Sequence, residues 1–279
     1  MCEINRESIK QNTLINEITR LDFYTLENFE EILEKVQKNF VNHGYMFSQH
    51  NNYNVNYEVD DPEPLITETF MLKKKVDIVE SYEFMNVNEG CRFVINPNML
   101  LFIKNDFSSY EGIDKYFEIF FETINIINEV SKVNVSRIGI RKINELILSS
   151  KIAINKYFKS DYFYDLRNDK EDTKELVLEY SYKPFYEKDI SMNKNIRIMQ
   201  GKYKLNDKNK TAYSFMWDLD CYKRYNDDFD INKLKDTFFK INDKIFTEYK
   251  NVISEKLATL LTSNSKSNDI YGGLNGKKQ

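Results

Sequence analysis

Apolar residues recur along this chain at two spacings, two residues apart and three to four apart, and the alternation between them outlines its elements. Leu14, Ile15, Ile18, Leu21 and Phe23 mark a first strand. Leu26, Phe29, Ile32, Leu33, Val36 and Phe40 then follow the spacing of one helix face, with Thr25 placed to cap the start and Gly44 beyond the end. Residues 43–64 are polar, rich in Asn and Tyr, and read as a long loop. The runs ITETFMLKK, YEFMNV, CRFVIN and MLLFIKN, separated by Glu89-Gly90 and Asn96-Pro97-Asn98, predict an antiparallel meander. A capping box at Ser108-Ser109-Tyr110-Glu111 opens a second helix, whose stripe of Ile113, Tyr116, Phe117, Phe120, Phe121, Ile124 and Ile127 must pack on that sheet.

The second half opens on VNVSRIGIRKINELIL, residues 133–148. Strand side chains alternate, so Ile138 and Ile140 share one face while Arg137, Gly139 and Arg141 share the other. A short helix is expected over 154–166, then strands over 175–182, 196–205 and 212–222, and one unbroken helix from Asp230 through Leu234, Phe238, Ile241, Ile245, Tyr249, Val252, Leu257 and Leu260. Residues 1–131 and 132–262 thus repeat one order: strand, helix, several antiparallel strands, closing helix. The expected fold is α+β, two similar halves each with an antiparallel sheet under helices, analogous to folds of the TATA-binding-protein or helix-grip type. Residues 263–279, rich in Ser, Asn, Gly and Lys, are expected to form a disordered tail.

Composition narrows the function classes. Hydrophobic residues make up 41% and aromatics 14% of the 279, enough for a folded core. With 40 basic against 44 acidic residues and a net charge of −4, the chain lacks the basic balance of most nucleic-acid-binding domains. The three cysteines, Cys2, Cys91 and Cys221, are far apart, which suits a reducing, cytoplasmic location rather than a disulfide scaffold. No apolar run is long enough for a membrane helix, so no membrane partner is expected. No GxSxG elbow, P-loop or GxGxxG occurs among only 8 glycines, so no cofactor is expected.

Five stretches together resemble a sporadically distributed family of uncharacterised bacterial proteins that carries an R-[IL]-G-[IL]-R-x-I-N strand motif. They are RFVINPNML (92–100), the helix start SSYEGIDKYF, RIGIRKIN (137–144), MWDLDCY (216–222) and LKDTFFKINDKIFTEYKNVISEKL in the last helix. The chain departs from the family pattern at Lys142, where members commonly carry Tyr, and near Phe239, where they commonly carry His. The resemblance implies no established activity or catalytic residue. Its patchy distribution implies mobile-island contexts, including toxin–antitoxin and antiphage-defence loci.

The candidate ligand-binding residues are Arg137, Gly139, Arg141 and Asn144 of the strand motif with Asp218 and Asp220 of MWDLD. Two arginines flanking a glycine suit an anion, and a DxD pair can hold Mg²⁺ with phosphates. If the two strands are neighbours, the same four charges instead form cross-strand ion pairs. His43 and His50 near Asp60 and Asp61 do not have the spacing of a metal motif. The expectation is a non-catalytic interaction or regulatory module, an accessory or antitoxin-like component whose partner is another protein, such as a neighbouring-gene effector, or a second copy. The alternatives are a nucleic-acid or nucleotide-signal binder using Arg137 and Arg141, and a metal-dependent phosphoryl-transfer enzyme using Asp218 and Asp220.

Overall fold

The two hydrophobic spacings sort into one antiparallel sheet and one helical layer in the computed structural model, which describes residues 4–59, 72–105, 114–159, 175–182, 190–205, 208–225, 230–263 and 265–274. The chain runs β1 (Leu14–Phe23), α1 (Phe29–Asn42), β2 (Met46–Val59), β3 (Leu72–Asn86), β4 (Cys91–Asn96), β5 (Met99–Lys104) and α2 (Asp114–Val130). It continues through β6 (Val135–Leu148), α3 (Lys151–Tyr157), β7 (Glu175–Tyr182), β8 (Ile190–Leu205), β9 (Lys208–Arg224), α4 (Leu234–Val252), α5 (Glu255–Thr262) and β10 (Ile270–Gly272). The strands form a single sheet in the order β2-β3-β4-β5-β1-β6-β9-β8-β7, with β10 added beside β6. The first strand of each sequence half, β1 and β6, therefore pair antiparallel at the centre.

Register sets the core. Phe84, Phe93, Phe102, Thr19, Ile140, Cys221 and Met192 stand opposite one another across successive strands, and all seven are buried. Helices cover this row. Phe40 of α1 packs with ring centroids 4.7 Å from Phe84 and 4.6 Å from Phe93, and Tyr116 of α2 lies 5.1 Å from Phe102. Phe117 of α2 meets Phe238 of α4 edge-on at 3.9 Å, which joins the helices of the two halves.

Residues 46–59, expected in a loop, form β2 instead. Its polar side chains give little apolar alternation, yet its backbone pairs with β3 without a break from Met46↔Met85 to Val59↔Leu72, so a main-chain ladder rather than burial makes the strand. Thr25 does not cap α1. Asn28 holds that place with φ 54°, a left-handed conformation that Asn tolerates, while Thr25 accepts a hydrogen bond from Asn98. The expected capping box at 108–111, residues 160–166 of the expected short helix and residues 275–279 lie outside the described residues.

The closing helix is not continuous. Ile253 is extended and Ser254 caps α5 by accepting from the Leu257 amide, so the chain restarts rather than bends. The end of α3 holds the gap open: the Lys159 amide donates to the Val252 carbonyl, and the Ser254 amide to that of Tyr157. Asp230 caps a short 3-10 turn, residues 231–233, that feeds α4.

Residues 265–274 of the tail are more ordered than their composition suggests. The Ser149 amide donates to the Asp269 carbonyl, Tyr157 hydrogen-bonds Ser267 at 2.6 Å, and β10 takes the edge of β6 beyond the start of β1. Gly273 permits this closure, because its φ is 88° and an added Cβ would stand 2.3 Å from the Glu145 carbonyl oxygen. Gly273→Ala should release the strap locally. The expected result is at least about ten-fold faster hydrogen exchange at the Ser149 amide with the central β6 amides still protected. Uniform loss of protection along β6 would contradict a local strap.

Candidate functional site

The arginine motif lies on the sheet face opposite α1, α2 and α4, since the odd positions of β6 point away from the buried Ile138 and Ile140. Its neighbour on one side is β9, with Arg141 opposite Asp220 and Gly139 opposite Tyr222. On the other side is β1, with Asp22 opposite Arg137. This register brings Arg137, Gly139, Arg141, Asp218 and Asp220 together. Asn144 does not join them, because an even position points into the helical layer, where its side chain accepts from Thr13 at 3.2 Å.

Six charges on this face, those of Arg20, Asp22, Arg137, Arg141, Asp218 and Asp220, pair with one another. Arg141 holds Asp218 through two nitrogens, Nε to Oδ1 at 2.9 Å and Nη2 to Oδ2 at 2.5 Å, the fork geometry of a guanidinium on a carboxylate. Arg137 reaches Asp220 at 3.3 Å and Asp22 at 3.7 Å, with its guanidinium 4.6 Å over the Tyr222 ring. Arg20 pairs with Asp22 at 2.6 Å, and Asn193 donates to Asp220 at 3.4 Å. Gly139 makes room for this arrangement: a Cβ there would lie 3.1 Å from Cβ of Tyr222 and 3.4 Å from Nη2 of Arg137. Burial pushes the Asp220 carboxyl above the ordinary aspartate range against the pull of Arg137, Asn193 and Arg141, while the hydrogen bonds that Arg141 donates to Asp218 raise the pKa of its guanidinium.

Three arginines thus meet three aspartates in one ladder. An anion would have to displace carboxylates from Arg137 and Arg141, and a cation would have to displace guanidiniums from Asp218 and Asp220. Among the described residues, no three His, Cys, Asp or Glu side chains gather closely enough to hold a metal ion. His43 ends α1 and lies 3.0 Å from Glu122 of α2, while His50 falls within β2. The Arg141–Asp218 pair is half exposed on the arginine side, so solvent weakens it. A double-mutant cycle with Arg141→Ala and Asp218→Asn should give a coupling of about 0.5–1 kcal/mol in denaturation free energy, and no coupling would contradict the fork.

Apolar side chains interleave with the ladder. Ile18 of β1, Leu101 and Met99 of β5, Ile143 of β6 and Met216 of β9 are half-buried on the same face. Arg92 lies further out on β4, 3.7 Å from Glu83, and Arg197 is exposed on β8.

A second polar group escaped the sequence reading. Directly across the helix-facing side of the sheet run Lys104, Glu17, Lys142, Leu219 and Lys194, each opposite the next and all buried. Lys142 lies 3.8 Å from Glu17, Lys194 pairs with Glu248 of α4 at 3.1 Å, and Lys104 contacts the Tyr116 hydroxyl of α2. A small cavity beside Glu17 and Thr19 is otherwise walled by Phe102, Tyr116, Phe117, Phe120 and Phe238. The signal was present in the strand phase: Glu17 alternates in step with Thr19, Leu21 and Phe23, and Lys142 with Ile138 and Ile140, so both had to point inward.

No protein-family model matches the chain, and no curated protein is significantly similar to it in sequence. Among the described residues, no helix is long and apolar enough to cross a membrane.

Proposed function

We propose that this protein is a non-catalytic interaction module whose recognition surface is the sheet face that carries the arginine ladder. The observation that carries this reading is the charge balance of the ladder amid half-buried Ile18, Leu101, Ile143 and Met216. Carboxylate-held arginines mixed with apolar side chains resemble a protein interface more than a phosphate site, whose cationic groups would be open to the anion. The partner in this reading is another protein, an effector encoded nearby, or a second copy of the chain.

The same reading includes an internal duplication of the TATA-binding-protein kind. Its support is the strand order: outward from β1 come β5, β4, β3 and β2, and outward from β6 come β9, β8 and β7, so each half places its first strand at the centre and runs back toward it from the edge. A helix follows the first strand of each half, and a longer one closes each.

The test pairs the wild type with an Ile143→Glu/Leu101→Glu variant, both recovered gently from the native host after a thermal melt has shown each to be folded. Wild type should carry a stoichiometric protein component that the variant lacks. Equal recovery of the component by both would remove this face from the interaction. Stoichiometric nucleotide on the wild type, lost in Arg137→Ala/Arg141→Ala, would favour the nucleotide-signal alternative.

A further inference from the structure

The hairpin of β8 and β9 outgrows the sheet. β7 accompanies β8 only as far as Glu175↔Met199, and β6 accompanies β9 only from Leu148↔Tyr213, yet the two strands stay paired to Leu205↔Lys208. Beyond the buried Ala212, residues 202–205 and 208–211 therefore project as a two-stranded ribbon about 13 Å long that neither β7 nor β6 accompanies. The ribbon carries Lys202, Lys204, Lys208 and Lys210, all exposed. Residues 200–212 contain one acid, Asp207, on a chain whose net charge is −4, so a basic finger extends from a body more acidic than the whole.

Register places the lysines on both sides of the ribbon. Lys202 stands opposite Thr211 and Lys204 opposite Asn209 on one face, while Lys210 stands opposite Tyr203 on the other face, which Lys208 shares. Midway along the ribbon Lys210 lies 5.5 Å from the Tyr271 ring. An acidic protein surface would meet one face at a time. A ligand that encloses the ribbon meets both, and the B-form major groove, about 12 Å wide and walled by phosphates, admits a two-stranded β-ribbon.

We propose that the β8–β9 ribbon is a DNA-binding finger that enters the major groove of a duplex and contacts phosphates through Lys202, Lys204, Lys208 and Lys210. Binding is sequence-tolerant, because lysines on phosphates position without reading bases. It is separate from the arginine ladder, which lies at the centre of the sheet on β1, β6 and β9.

Fluorescence anisotropy of the full chain with a labelled, mixed-sequence DNA duplex about two helical turns long tests this. Four phosphate contacts predict affinity falling on the order of a hundred-fold between about 50 and 200 mM salt. K202Q/K204Q/K208Q/K210Q should lose at least about ten-fold in affinity at the lower salt with an unchanged thermal melt. The four-arginine version of the same positions should keep binding. K35Q/K38Q/K132Q/K240Q, which removes exposed lysines elsewhere, should leave it unaltered. No binding, equal loss in the two glutamine variants, or loss in the arginine version would overturn the proposal. So would competition by poly-glutamate as strong as by unlabelled duplex, since that would assign the ribbon to acidic proteins.

Discussion

Glu17→Ala is expected to lower the denaturation free energy by about 3–5 kcal/mol, because it withdraws a buried carboxylate from between two buried lysines. Lys104 and Lys142 face Glu17 from the strands on either side, and α2 and α4 close over all three. Replacing the group together, as Glu17→Leu/Lys104→Met/Lys142→Met, should recover most of the loss, since a well-packed apolar set of similar volume is commonly no less stable than a buried ion group. A fall below about 1 kcal/mol for Glu17→Ala in urea denaturation would contradict the burial of this row.

The pH dependence adds a sign. Burial pushes the Glu17 carboxyl above the ordinary glutamate range, more strongly than Lys142, Lys104 and Arg6 pull it down. A carboxyl with a raised pKa in the folded state binds its proton more tightly there than in the unfolded chain. Its contribution to stability is present below the unfolded value and is lost as pH rises through the folded one. The stability of wild type relative to Glu17→Gln should therefore decline as pH rises out of the ordinary carboxylate range, and a difference that grows with pH would have the wrong sign.

Trp217→Ala should cost a similar amount, about 3–5 kcal/mol, for a different reason. The indole is fully buried, stacks on Tyr249 of α4 at 5.7 Å, and receives Phe158 edge-on at 5.0 Å. It joins β9, α4 and the segment after α3, and none of these can collapse into its volume without unpacking from the others. Its Nε1–H is buried with no acceptor among the described residues, so Trp217→Phe removes an unsatisfied donor as well as part of the ring. The phenylalanine variant should lose less than half of the alanine cost, measured by circular dichroism because Trp217 is the sole tryptophan. Equal costs for the two would mean that the indole, not an aromatic ring, is required.

Alternation was the most reliable signal in the sequence. It put Ile138 and Ile140 inside, Arg137 and Arg141 outside, and Asp218 and Asp220 on one face, and the pairing of β6 with β9 then made the cross-strand ion pairs expected for neighbouring strands. It failed where side chains do not decide the structure. β2 is held by its ladder to β3, so Asn and Tyr conceal a strand. The break at Ile253 depends on Lys159 and Tyr157, remote in sequence, and β10 on the shape of Gly273 against Glu145. Asn144 was grouped with the arginines by motif, although alternation already placed it on the other face. The lysine row across the sheet needed strand order as well as phase, because only pairing shows that Lys104, Glu17 and Lys142 are neighbours.

Whether the ladder face serves a protein partner is tested most directly by native mass spectrometry of the tagged chain purified gently from its host, with an absorbance reading for nucleic acid. The predicted result is a defined additional protein mass, a second copy or another chain, that Ile143→Glu/Leu101→Glu abolishes. A bare monomer, or a small-molecule mass that disappears in Arg137→Ala/Arg141→Ala, would contradict it.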